Sequence, residues 1–179
     1  MSTHASEVGG QAPAFSLPDT QGAEYGPRPG EVTVVVFTCN HCPYALAWHE
    51  RLMSVAHDYA PRGVAMLAIN PNDAERYPRD STAAMRERVE AGDFDGVPYL
   101  RDESQEVARA YDAKTTPDVF VLDGEGILRY RGAPDADHDD PSQDAAWLRG
   151  ALDAMLDGGV PDPAETTPVG CSIKWRSGG

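Results

Sequence analysis

Lysine is nearly absent from this 179-residue chain: only Lys114 and Lys174 occur, and the 15 basic residues stand against 29 acidic ones for a net charge of −14. Such a chain repels a phosphate backbone at long range unless its basic residues cluster, and no cluster is present, so nucleic acid is not an expected partner. Long apolar runs are missing as well. Runs such as Val34 to Phe37 fall far short of the roughly 20 residues that cross a bilayer, so no membrane association is expected. The segment Met1 to Gln11 is polar and lacks both the basic start and the apolar stretch of a secretory signal, which points to a cytoplasmic location. Cysteine is scarce, with three residues in total, an odd number that excludes a disulfide scaffold.

What remains is a chain of ordinary globular composition, 41% hydrophobic and 25% charged, long enough to bury a core. Glu31 to Thr38 is β-branched and almost continuously apolar, as a strand buried on both faces should be. From Pro43 to Ala60, apolar residues Ala45, Trp48, Leu52, Val55 and Tyr59 recur at three- and four-residue spacing, which predicts a helix stopped by Pro61 and Gly63. A second strand follows at 64–69, helices at 81–91 and 104–111, a short strand at 97–100, a hairpin over 118–122 and 127–131 around Asp-Gly-Glu-Gly, and a closing helix at 144–156. The segment Gln11 to Thr20, broken by two prolines, reads as an edge strand. Asp135 to Asp140 reads as a solvated acidic loop, and the Pro/Gly-rich 158–179 as a tail with little regular structure. Early alternation of strands and helices with a late hairpin implies an α/β fold, a mixed central sheet flanked by helices on both faces. The expected division is a domain over 8–157 and a C-terminal tail over 158–179 packed back on it through Ile173 and Trp175.

Chemistry concentrates at Cys39-Asn40-His41-Cys42, a Cys-x-x-Cys where the buried strand hands over to the long helix. Two thiols at this spacing can close a small disulfide ring, and a helix amino terminus lowers a thiol's pKa through its free N–H groups. If the first helical turn begins at Cys39, that residue is the outer nucleophile and Cys42 the buried resolving thiol. His41 adds a possible positive charge between them. Asn40 and Tyr44 flank the pair and are candidates for shaping substrate access. The same Cys-x-x-Cys could supply two ligands of a zinc site, with His41, His49, His57, His138 and Cys171 as the remaining candidates, none in a paired ligand spacing. A metal-binding module or metallochaperone therefore stands as an alternative.

The residues FTCNHCPYA at 37–45, KTTPDVFVLD at 114–123, YRG at 130–132 and GCSIKW at 170–175, behind an opening APAFSLPDTQG, resemble the small peroxiredoxin-like group of the thioredoxin-like superfamily, in its alkyl hydroperoxide reductase and thiol-specific antioxidant branch. The resemblance spans roughly residues 8 to 176. It implies a thioredoxin-like fold with an N-terminal strand extension, and a thiol–disulfide oxidoreductase cycling Cys39 and Cys42 with no cofactor, acting on protein or small-molecule disulfides and recharged by an unidentified reductant. It further implies that Pro117 is a cis-proline facing the pair, leaving the Thr116 backbone to bind an extended substrate. Thr33 stands where thioredoxins carry a buried acid. Neither cysteine has a Pro seven and a Thr or Ser three residues before it, the frame of a peroxidatic cysteine. A thiol peroxidase with antioxidant activity, using Cys39 with Cys42 or Cys171 as resolver, is the second alternative, and Cys171 is a possible accessory thiol.

Overall fold

The computed structural model describes residues 7–177. A short hairpin of β1 (Leu17–Pro18) and β2 (Glu24–Tyr25) precedes β3 (Val32–Phe37), α1 (Pro43–Tyr59), β4 (Val64–Asn70), α2 (Thr82–Glu90) and β5 (Tyr99–Arg101). After α3 (Glu106–Ala110) come β6 (Thr115–Thr116), β7 (Asp118–Leu122), β8 (Leu128–Gly132), α4 (Ala146–Leu156) and β9 (Cys171–Ser172). The central sheet has the order β5-β4-β3-β7-β8; β3, β4 and β5 run parallel, while β7 and β8 are antiparallel to their neighbours.

The period of two along a strand explains why β3 reads as unbroken apolar sequence. Val34 and Val36 face a core built with Trp48, Leu52 and Val55 of α1 and Leu148 and Leu152 of α4. Val35 and Phe37 face a second core with Ala108 of α3, Tyr111, Ala12 and Ile173. Both faces are covered, as the α/β reading requires. No helix among the described residues is long and apolar enough to cross a membrane.

Three local expectations need correction. The front segment forms a hairpin rather than one strand. The tail contributes a strand of its own: β9 pairs antiparallel with β6. The acidic loop is only partly solvated, because Asp135 is buried and accepts hydrogen bonds from Trp48 Nε1 at 2.9 Å, Arg51 at 3.0 Å and the Ala145 N–H at 2.9 Å. Arg51 also donates to the carbonyls of Asp137, His138 and Asp140, so a single guanidinium folds the loop against α1. The periodic pattern shows Trp48 facing inward but cannot show which acid meets its indole N–H.

Replacing Asp135 by Ala strands the buried indole N–H and the Arg51 charge, and should cost about 3–5 kcal/mol in urea unfolding. A loss below about 1 kcal/mol would show that the cluster adds little beyond solvated contacts.

Candidate active site

The helix starts at Pro43, as the apolar spacing predicts, which leaves Cys39 three residues outside its first turn. Strand β3 ends at Phe37, the Thr38 N–H still bonds to the Ile69 carbonyl, and the chain then bends through 39–42 before α1 starts at Pro43. Proline suits that first helical position, since its missing N–H would have no partner there. Cys42, with extended backbone at φ −79° and ψ 125°, is the N-cap, and its carbonyl accepts the Leu46 N–H at 2.9 Å. The expectation that Cys39 heads the helix is therefore corrected: Cys42 occupies the helix end and Cys39 lies in the loop before it. Nor is Cys39 an outer sulfur, since both cysteines are 1% exposed and both are free thiols.

The loop's shape is set by a residue that the sequence reading did not single out. Asp80, fully buried, ends the single 3-10 turn Pro78–Asp80 after β4. Its Oδ1 accepts from the Asn40 N–H at 2.7 Å and Asn70 Nδ2 at 3.0 Å, and its Oδ2 from Asn72 Nδ2 at 3.0 Å. His41 Nδ1 lies 2.7 Å from the same Oδ2, with its ring stacked on Tyr77 at 5.8 Å. Any positive charge on His41 thus faces Asp80 rather than standing free between the cysteines. Asn40 also belongs to the scaffold: its side-chain oxygen accepts from Tyr99 and Arg88, and its nitrogen donates to the Arg79 carbonyl. No local sequence signal marks Asp80, which arrives from 40 residues away.

Thr116 meets both sulfurs. Its hydroxyl is 3.3 Å from Cys39 Sγ, and its carbonyl accepts from Cys42 Sγ at 3.2 Å. The following peptide, Thr116–Pro117, is cis. Cys171 and Tyr44 pack against the cluster of Cys39, Cys42 and Ala45. All the expected site residues therefore converge at one end of the sheet, with Asn40 turned into the scaffold and the Thr116 edge already paired to the tail.

The two thiols share protons, so one ionises readily and the other with difficulty. Cys42 is the favoured thiolate, pulled down by a hydrogen bond from Cys39 and, against the cost of burial, by the Cys171 thiol and the Ala45 N–H at the open helix end. The neutral Cys42 thiol donates to the Thr116 carbonyl, which opposes this ionisation. Cys39 is pushed up by its bond to Cys42, by burial and by the Asp80 carboxylate. For metal chemistry, Cys39, His41 and Asp80 bring one ligand atom each within 4.8 Å of one another, but the Asp80 oxygens already accept three hydrogen bonds, from Asn40, Asn70 and Asn72, and face His41 Nδ1 at 2.7 Å.

The AhpC/TSA family profile matches residues 8–131. The thiol:disulfide interchange protein DsbE of Allochromatium vinosum is 29% identical over 127 residues, covering 67% of this chain and 63% of that protein, so the chain spans less than two thirds of this curated relative. An uncharacterized conserved protein from Geobacillus kaustophilus superposes with a TM-score of 0.89 at 38% identity, over 97% of this chain and 95% of its own. A hypothetical protein from Sinorhizobium meliloti 1021 does so at 0.87 and 37%, over 96% of each chain. A putative DsbE from Chlorobium tepidum, at 21% identity and a TM-score of 0.68 over 84% of this chain and 98% of its own, shares the thioredoxin-like fold.

Asp118, next to Pro117, is buried with Oδ2 accepting the Lys114 N–H at 2.9 Å and Oδ1 without a hydrogen bond among the described residues. Burial pushes its pKa up to about 7. Between the ordinary carboxylate value of about 4 and 7 the folded state then binds more protons than the unfolded one, so this group's contribution to stability falls as pH rises through that window. Asp118→Asn should stabilise the protein at pH 8 by about 2–4 kcal/mol, with little gain at pH 4. Equal unfolding midpoints for the two proteins across that range would refute the assignment.

Proposed function

The chain belongs to the AhpC/TSA family within the thioredoxin-like superfamily, and from that premise we propose that it is a thiol–disulfide oxidoreductase in which Cys42 attacks and Cys39 resolves. The convergence of the Cys39–Cys42 pair on Thr116 at the helix's open end carries the reading. In the reducing direction, the Cys42 thiolate attacks one sulfur of a substrate disulfide, and the other sulfur leaves as thiolate. Cys39, deprotonated, then attacks Cys42 of the mixed disulfide, closes the Cys39–Cys42 bond and expels the reduced substrate. An external dithiol restores the pair, and every step reverses when the protein acts as oxidant.

The electrostatics suit this order of events. Cys39 keeps its proton beside Asp80 until Cys42 has lost its charge to the mixed disulfide, which removes one repulsion from the second ionisation. The His41–Asp80 pair, within 4.8 Å of Cys39 Sγ, is positioned to take that proton, and Thr116 Oγ1 to donate to the sulfur left behind. Protein or small-molecule disulfides are the proposed substrates. The sulfurs carry the electrons, so no cofactor is required.

With insulin as substrate, the double variant Cys39→Ser, Cys171→Ser should accumulate a stable mixed disulfide on Cys42, while Cys42→Ser should lose at least about 100-fold in rate and trap nothing. Trapping on Cys39 instead would return the attack to the loop cysteine. A wild-type protein that neither reduces insulin nor forms a Cys39–Cys42 disulfide would exclude the oxidoreductase reading. Reaction with hydrogen peroxide is expected to be no faster than that of a free thiolate.

A further inference from the structure

The edge that should receive an extended substrate is occupied by the chain itself. Strand β9 pairs antiparallel with β6, placing Cys171 opposite Thr116 and Ser172 opposite Thr115. Cross-strand neighbours at such a position lie about 5 Å apart, which brings the Cys171 side chain to the sulfur cluster it packs against. Gly170 makes the approach possible: a Cβ there would overlap the Thr116 carbonyl oxygen and lie 2.8 Å from its carbonyl carbon. Just beyond, the tail is pinned. Ile173 is 3% exposed, the Lys174 N–H donates to Asn72 Oδ1 at 2.9 Å, and its carbonyl accepts from the Asp73 N–H and Gln105. Cys171 itself is partly exposed, unlike the two cysteines it covers.

We propose that residues 170–172 are an internal occupant of the substrate edge and that Cys171 is a third redox thiol, exchanging with Cys42 to lock the tail in place. The step rests on the oxidoreductase reading and needs no outside oxidant. In the oxidised protein the Cys171 thiolate attacks Cys42 Sγ, the Cys42–Cys171 bond forms, the Cys39–Cys42 bond breaks, and Cys39 leaves as thiolate, taking up the proton that Cys171 gave up. Burial and the neighbouring Cys42 push the reduced protein's Cys171 up to about 11. Once Cys42 is in a disulfide its charge is gone, and one of those two obstacles goes with it. The locked form holds β9 on the edge and excludes extended protein substrates. Reduction frees the strand, which an incoming polypeptide can then replace by the same backbone pairing.

The test is disulfide mapping after equilibration with oxidised glutathione. Wild-type protein reports the parent reading by its Cys39–Cys42 linkage. In Cys39→Ser, Cys42 is expected to take up glutathione and lose it to Cys171, leaving a Cys42–Cys171 disulfide and two reduced glutathiones per chain. Adding Gly170→Ala, which lifts the tail while keeping both thiols, should lower the yield of that linkage at least tenfold; on the wild-type background it should leave the Cys39–Cys42 linkage intact and speed insulin reduction. Glutathione persisting on Cys42 beside a free Cys171, or a yield unaffected by Gly170→Ala, overturns the proposal while the parent reading stands. Absence of the Cys39–Cys42 linkage in wild-type protein overturns both.

Discussion

The buried Asp80 carboxylate is the constraint on which the active end of the molecule depends. Taking a carboxylate out of water costs several kcal/mol unless its lone pairs are filled, and here they are filled by groups from separate parts of the chain. The Asn40 N–H belongs to the cysteine loop, Asn70 to the end of β4, and Asn72 to the turn after it, while His41 takes the remaining place. Arg101 reinforces the turn by donating to the carbonyls of Asn70, Asn72 and Asp80. Loss of any one contact to the carboxylate leaves a lone pair of a buried charge unfilled, so the contacts favour one shape of the loop that carries Cys39 and His41.

That shape decides the electrostatics of the thiols. Because the loop runs three residues past Cys39 before α1 begins, the free N–H groups of the helix act on Cys42, and the charge of Asp80 acts on Cys39. A helix starting three residues earlier would have turned the first of these influences onto Cys39. The asymmetry between two chemically identical side chains thus follows from where a proline allows the helix to start and from which side a distant carboxylate arrives.

The same network reaches the tail. Asn72, which donates to Asp80 with its nitrogen, accepts the Lys174 N–H with its oxygen, so the segment carrying Cys171 and the loop carrying His41 hang on one side chain. Trp175 completes the attachment beneath Arg109, 4.5 Å from its ring centre. A tail fixed this firmly on one side, and paired by only two residues on the other, has its weakest hold at the edge beside the cysteines.

Local pattern determined much of this protein. The unbroken β-branched run at 32–37, the alternating burial of α1 and the Asp-Gly turn between β7 and β8 are each set by neighbours a few residues apart, and so were legible directly. The two cysteines, Thr116, Pro117 and Cys171 could be named as one constellation only through the family resemblance that their short motifs carry. What only the tertiary structure decided is everything that joins distant segments: Asp80 under the cysteine loop, Asp135 on Trp48, and the tail strand on the Thr116 edge. The physical reason is that a buried polar group is satisfied by whichever donor the fold brings within about 3 Å, and no spacing along the chain encodes that partner.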